Sequence, residues 1–260
     1  MHDIFFFTDI HGMYSLYRAV MDYCKEQDPE CTIIFGGDAI DRGPDGYKIM
    51  KELLDDPQVI YLKGNHEDMF VRAAYEIKDE FSFSDKNIDH IHEKLNNAYQ
   101  YKYVRDSLFN GGLSTLTDWV LDDMPMDIVE RIDNLPLTFS YKDKDFCHTA
   151  GIYKCFKAVA DKEYKGEKVP EWDAMYALWT RYLESDWAPK RTAIFGHTPV
   201  LLLNDYVKVP VEKLEPVAWT DVELGWTKID MDCGSAFTDV VYVLNILTMK
   251  MQGFKSEEKI

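Results

Sequence analysis

Positive charge is scarce in this sequence. Against 46 acidic residues stand 29 lysines and arginines, a net charge of −17 at pH 7, and no basic tract gathers the cations that phosphate-backbone affinity requires. A general nucleic-acid binder is therefore not expected. Long apolar runs are missing too. The N-terminal stretch "MHDIFFFTDIHG" is too short for the core of a secretion signal and lacks a small-residue cleavage site, and no run approaches the ~20 residues of a membrane-spanning helix. The expected location is the cytoplasm, with no membrane partner. The five cysteines, Cys24, Cys31, Cys147, Cys155 and Cys233, are odd in number and form no CxxC pair, which argues against a disulfide framework or a structural zinc knuckle. No internal repeat or low-complexity linker divides the chain.

What is present describes a globular protein. With 46% apolar and 14% aromatic residues over 260 positions, the chain can bury a sizeable core, and one domain spanning 1–260 is expected. Ile4 to Phe7 is a short continuous apolar run, the pattern of a strand buried on both faces, and Met13 to Cys24 then places Leu16, Tyr17, Val20, Tyr23 and Cys24 at helical spacing. The alternation continues with a strand at 32–36, a helix over Tyr47 to Leu54 and a strand at 59–64. A βαβαβ unit with a parallel sheet follows. A mostly helical insertion or cap is expected at about 70–134, broken by "NGG" at 110–112 and by Pro125. Strands return at 137–141, 145–149, 192–196, 227–232 and 240–246, with a helix over Trp172 to Leu183 and a loose tail after Gly253. The aromatic series "YQYKYV" at 99–104 suits the core of the cap better than a base-stacking platform in so acidic a chain.

The polar residues of interest follow strand ends. Asp9 and His11 come after the first strand, Asp38 and Asp41 after the second, Asn65 and His66 after the third, and His148 and His197 end two later ones. In open α/β sheets ligands bind at the carboxyl ends of the strands, so segments distant in sequence can converge there. Asp, His and Asn supply hard oxygen and borderline imidazole donors, a mixture suited to Mn, Fe or Zn rather than to a thiolate metal or an all-oxygen calcium site. Four of the seven histidines stand at such positions, whereas His2, His90 and His92 read as surface residues.

"DIHG" (9–12), "GDAIDRG" (37–43), "GNHE" (64–67), "HTAG" (148–151) and "GHTP" (196–199) resemble, in order and spacing, the motifs of the calcineurin-like metallophosphoesterases. The likeness is strongest to the phosphoprotein phosphatase branch, with its bacterial and phage Ser/Thr phosphatases and symmetrical diadenosine tetraphosphate hydrolases. "NGGLSTL" (110–116), "LPL" (135–137), "LWTR" (178–181) and "DCG" (232–234) look like secondary landmarks of the same family. The fourth motif departs from the family's "HAG" by one inserted residue.

The resemblance implies a four-layer αββα sandwich with the helical insertion, and a metal-dependent phosphoric ester hydrolase holding two divalent ions, Mn foremost, with Fe, Zn or Ni as alternatives. By position, Asp9, His11 and Asp38 would bind the first ion, and Asp38 would bridge to a second completed by Asn65, His148 and His197. Arg42 and Arg181 would hold phosphate oxygens, with Asn65 also facing the substrate. His66 would protonate the leaving oxygen, its ring fixed and its pKa raised by Asp41. The implied reaction is in-line attack of a metal-bound hydroxide on a phosphomonoester, as in a Ser/Thr protein phosphatase acting on a phosphorylated protein or peptide. The alternative is a nucleotide substrate cleaved by a symmetrical dinucleoside tetraphosphate hydrolase. A noncatalytic metal-binding scaffold fits less well, since the ligand set and His66 are both present.

Overall fold

The computed structural model describes residues 2–83, 85–153, 175, 177–181, 188–203 and 214–256. Three parallel strands open the chain: β1 (Ile4–Phe7), β2 (Thr32–Phe35) and β3 (Val59–Tyr61), joined by α1 (Tyr14–Gln27) and α2 (Gly46–Asp55). Phe5, Phe6 and Phe7 are all buried. Their unbroken apolar run reflects a strand covered on both faces, each ring contributing on the order of 2 kcal/mol of burial.

The helical region follows as α3 (Asn65–Glu80), α4 (Ile88–Asn96), α5 (Lys102–Phe109), α6 (Leu113–Leu121) and α7 (Met126–Asp133). It begins inside the third motif rather than near residue 70, because Glu67 at the third helical position reaches back to the Gly64 amide at 2.9 Å and starts the helix there. Phe70, Ala73, Leu95, Trp119 and Ile132 from these helices share one apolar core with Phe5, Phe7, Ile33 and Phe35 of the sheet and with Leu16, Val20 and Ile49 of α1 and α2.

The remaining strands are β4 (Thr138–Tyr141), β5 (Lys144–Cys147), β6 (Thr192–Phe195), β7 (Val217–Asp221), β8 (Trp226–Asp230), β9 (Val240–Asn245) and β10 (Met251–Lys255), with a short helical turn, α8 (Ser235–Thr238), between β8 and β9. They complete two mixed five-stranded sheets, ordered β10-β9-β1-β2-β3 and β4-β5-β6-β8-β7. The sheets meet face to face through Phe6, Ile34 and Leu244 on one side and Phe146, Ile194 and Ile229 on the other, with the Phe6 and Phe146 rings 5.5 Å apart. Cys147, Ala193 and Phe195 cover the far face of the second sheet beneath Ile152 and Ala177. Among the described residues no helix is long and apolar enough to cross a membrane.

Three expectations change. The expected loose tail after Gly253 starts as a strand: β10 pairs antiparallel with β9 as far as Lys255, Gly253 lies opposite Tyr242, and Phe254 packs on Tyr23 at 5.5 Å, while 257–260 lie outside the described residues. A side chain at Gly253 would press on the Tyr242 ring, so the glycine that suggested a break is what permits the pairing. β7 was not expected at all. In the "YQYKYV" stretch only Val104 is fully buried, while Tyr101 packs on Phe81 and Tyr103 borders a cavity. Of the helix expected over 172–183, positions 175, 177 and 178 are helical, and most of the others lie outside the described residues.

Candidate metal centre

Three of the five strand-end segments, those after β1, β2 and β6, turn sharply through unusual backbone. Asp9, His11, Asp38, Asp41, Arg42 and His197 all have positive φ, between 45° and 71°, in a region that non-glycine residues rarely occupy. Such strain persists only where surrounding contacts impose it. Here the first two turns brace one another: the Asp9 amide donates to Gly37 O at 3.0 Å, that of His11 to Asp38 O at 3.0 Å and that of Gly12 to Ala39 O at 2.8 Å.

Asp38 stands at the middle of the resulting cluster. Its Oδ2 lies 3.6 Å from His11 Nε2 and 3.8 Å from His66 Nε2, while its Oδ1 lies 3.4 Å from His148 Nε2. Two groups therefore share this carboxylate, His11–Asp38–His66 and Asp38–His148–His197, each with ligand atoms within 4.8 Å of one another. Asn65 Oδ1 closes the second group at 2.9 Å from both His148 Nε2 and His197 Nδ1. Asp9 belongs to neither group. Its carboxylate accepts from Thr8 Oγ1 at 2.6 Å and from the His197 amide at 3.1 Å, which joins the first sheet's site loop to the second's. A Cβ at Gly196 would collide with that carboxylate, so the close approach needs glycine.

The rings are oriented for ligation. His11 Nδ1 donates to Ile40 O and His148 Nδ1 to Gly36 O, each at 2.9 Å. A carbonyl can only accept, so both hydrogen bonds keep a proton on Nδ1 and aim Nε2 into the cluster.

Burial divides the charges. Burial pushes the Asp9 carboxyl up to about 7, with Asp38 adding to the effect. Burial would raise Asp38 too, but His148, His66 and His11 hold it well below the ordinary carboxylate range. His148 is pushed up to about 10, burial being outweighed by Asp38, and His197 is driven down to about 3 by burial and by His148. Carboxylate, amide and imidazole donors crowded beyond the reach of water form a set whose charge a divalent cation compensates, so the residues fit the metals that their types suggested.

Around this cluster lie the remaining expected residues. His66 Nδ1 meets Asp41 Oδ2 at 2.7 Å, and its pKa is raised because Asp38 and Asp41 together outweigh burial. The Arg42 guanidinium donates to His11 Nε2 at 2.5 Å, lies 3.1 Å from His66 Nε2, and stands 5.4 Å from the ring of the exposed Phe237. Arg181 is exposed, close enough to His197 to help depress its pKa. His2 and His90 are exposed and pair with Asp28 and Asp85, each at 3.1 Å, and His92 is half-buried.

Two residues had no role in the sequence reading. Glu67 is fully buried and its carboxylate accepts four hydrogen bonds: Asp38 N at 2.8 Å and Gly64 N at 2.9 Å on Oε2, Ala39 N at 2.8 Å and Tyr61 Oη at 2.7 Å on Oε1. The capping pattern that places a glutamate at the third helical position was its visible signal. Thr115 of α6 donates to Asp41 Oδ1 at 2.8 Å and accepts from the Asp41 amide at 3.1 Å, extending the His66–Asp41 pair into the helical region. Nearby, Gly111 O accepts from the Arg42 amide at 3.0 Å and Ser114 Oγ donates to Gly43 O at 3.1 Å.

Comparison with known proteins agrees with this geometry. Residues 2–210 match the family described as calcineurin-like phosphoesterase. Over 77 residues the chain is 35% identical to a symmetrical bis(5'-nucleosyl)-tetraphosphatase of Buchnera aphidicola subsp. Acyrthosiphon pisum, a stretch covering 29% of this chain and 28% of that protein. The match thus spans little more than a quarter of the curated relative's length. Among solved structures, a candidate diadenosine tetraphosphatase superposes with a TM-score of 0.57 at 13% identity, covering 99% of this chain and 95% of that one. A protein serine/threonine phosphatase from Saccharomyces cerevisiae superposes at 0.51 with 12% identity, covering 100% and 81%. At such identities the structural likeness concerns the fold.

Proposed function

Because this chain belongs to the calcineurin-like phosphoesterases, we propose that it is a metal-dependent phosphomonoesterase of the Ser/Thr protein phosphatase type. The observation that carries the reading is the Asp38 carboxylate, whose two oxygens face different groups of nitrogen donors, 3.6 Å from His11 Nε2 and 3.4 Å from His148 Nε2. Asp9, His11 and Asp38 would hold one divalent ion, and Asp38, Asn65, His148 and His197 a second, with manganese the foremost candidate. When bound, the ions supply the Lewis acidity that polarises a phosphoryl oxygen and readies water for in-line attack.

The chain's own residues do the rest. Arg42 and Arg181 present guanidinium forks to the phosphoryl oxygens, Arg42 from a turn fixed by Gly111 and Ser114. His66 carries a proton at Nε2 toward the leaving oxygen, and Asp41 holds Nδ1 so that the ring neither turns nor loses its charge early. Asn65 would also orient substrate. No side chain needs to form a covalent bond to phosphorus.

A second reading, symmetrical cleavage of a dinucleoside tetraphosphate, is favoured by the name of the Buchnera relative. Chelator-stripped protein reloaded with Mn, Zn, Fe, Ni or Mg and assayed on a phosphothreonine peptide and on diadenosine tetraphosphate separates the two. Phosphate release from the peptide with little dinucleotide cleavage supports the first, and fast symmetrical cleavage the second. Bound metal with no turnover would leave only a noncatalytic scaffold.

A further inference from the structure

We propose that the cavity between α3 and α5 is a leaving-group subsite that takes a flat aromatic ring, an inference that rests on the metal-dependent phosphoesterase part of the reading above and, if upheld, replaces its aliphatic Ser/Thr leaving group with a ring-bearing one. The cavity has a volume of about 340 Å³, within the range of small-molecule sites. Its lining sets rings and thioethers, Met69, Tyr103, Phe109, Met175 and Trp179, among charged side chains of both signs from α3 and α5.

Three links join it to the metal centre. The Trp179 ring stands edge-on to His197 with centroids 6.4 Å apart. At the opposite lip, Asn110 precedes Gly111, whose carbonyl holds the Arg42 amide. The third link is α3 itself, which starts at Asn65 and reaches Met69 roughly 6 Å further along its axis. His66, the acid of the proposed function, lies at the start of the same helix. A substrate with its phosphoryl group at Arg42 therefore has the cavity on its leaving side.

The character of the walls selects the occupant. Phe109 is 91% exposed and Met175 46%, apolar side chains that gain nothing for the fold where they stand. Single exposed apolar residues are ordinary, but these converge on one concavity. Arg72, paired with Asp68 at 2.7 Å, lies 5.5 Å from the centroid of the Tyr103 ring, and Lys102 Nζ lies 4.9 Å from it, so one ion-paired cation and one lysine border the ring. Stacking surfaces and bordering cations together suit a ring-bearing phosphoester, whereas an aliphatic leaving group would use only the area. The ring can be a nucleobase or the phenyl ring of an aryl phosphate.

The test compares metal-loaded wild type, Phe109→Ala and Tyr103→Leu on adenosine 5'-monophosphate, phenyl phosphate and glycerol 3-phosphate. The first and last share a primary alkoxide leaving group, so the ratio of their kcat/KM isolates the ring. That ratio is expected to fall roughly ten-fold in Phe109→Ala, in line with the loss of one stacking partner. A larger loss on the nucleotide than on phenyl phosphate identifies a nucleobase, and the reverse an aryl ring. An unchanged ratio in both variants overturns the proposal. Equilibrium dialysis with adenosine and with phenol gives a readout that does not need turnover: saturable binding of either ring, weakened in both variants, supports the subsite, and no binding of either to wild type overturns it. If no ester is hydrolysed while ring binding follows the variants, the hydrolase reading falls and takes the leaving-group role with it, whereas hydrolysis with an unchanged ratio overturns the subsite alone.

Discussion

The two sheets contribute to the candidate centre in different ways. Loops of the first sheet are locked to one another by backbone: the 9–12 turn hydrogen-bonds to 37–39, and Glu67 collects two amides from that same segment and a third from Gly64. Loops of the second sheet lean on the first. His148 is aimed by Gly36 O, the His197 amide rests on the Asp9 carboxylate, and both rings meet Asn65. One half is a rigid frame and the other is docked upon it. Damage should therefore spread outward from the first half and stay local in the second.

Asp38→Asn should break this picture most severely. It removes the charge that both groups share, so metal content by elemental analysis should fall on both sides, with a rate loss beyond the ~10²–10⁴ typical of losing a general acid. Full occupancy by two ions in that variant would end the bridging assignment. Next, His66→Asn should leave the metal content nearly intact while slowing turnover of poor leaving groups by on the order of 10²–10⁴. Equal rates for alkyl and nitrophenyl esters in this variant would remove His66 from the acid role.

Glu67→Gln sharpens the contrast between the halves. The new amide must turn a donor toward backbone N–H groups, at roughly 1–3 kcal/mol for each buried donor left unmatched, and metal affinity should weaken about 10–100-fold on both sides. His148→Ala should lose only one ion. If Glu67→Gln also loses one and spares the other, the frame is not shared. The smallest effect is expected of Thr115→Val: about a ten-fold slower turnover of poor leaving groups at unchanged metal content, a mild case of losing an outer hydrogen bond. Thr115→Ser should restore the rate, and failure to do so would reduce Thr115 to a packing residue.

Much of this was legible in the sequence because the signals were local. "IFFF" and "TIIF" announce doubly buried strands, and an aspartate, asparagine or histidine one to three residues beyond a strand marks the ligand-binding edge of such a sheet. The parallel β1-β2-β3 core and the two mixed sheets follow that reading, and the strand-end residues do converge. What escaped depends on distance along the chain. Thr115 matters through a carboxylate 74 residues earlier, and no periodicity reports such a contact. β10 escaped because its glycine resembles a break until Tyr242 is seen across the ladder. Trp179 lay in the "LWTR" segment, where attention fell on the arginine.

The Glu67 carboxylate also has a consequence in time. The amide protons of Asp38, Ala39 and Gly64 end on it from loops far apart in sequence. Exchange with solvent at any of them requires that the first turn of α3 lift away, so all three should exchange at a common rate, well below that of the surrounding turns. They form a clock for the opening of the site. Metal loading should slow that clock at all three positions together.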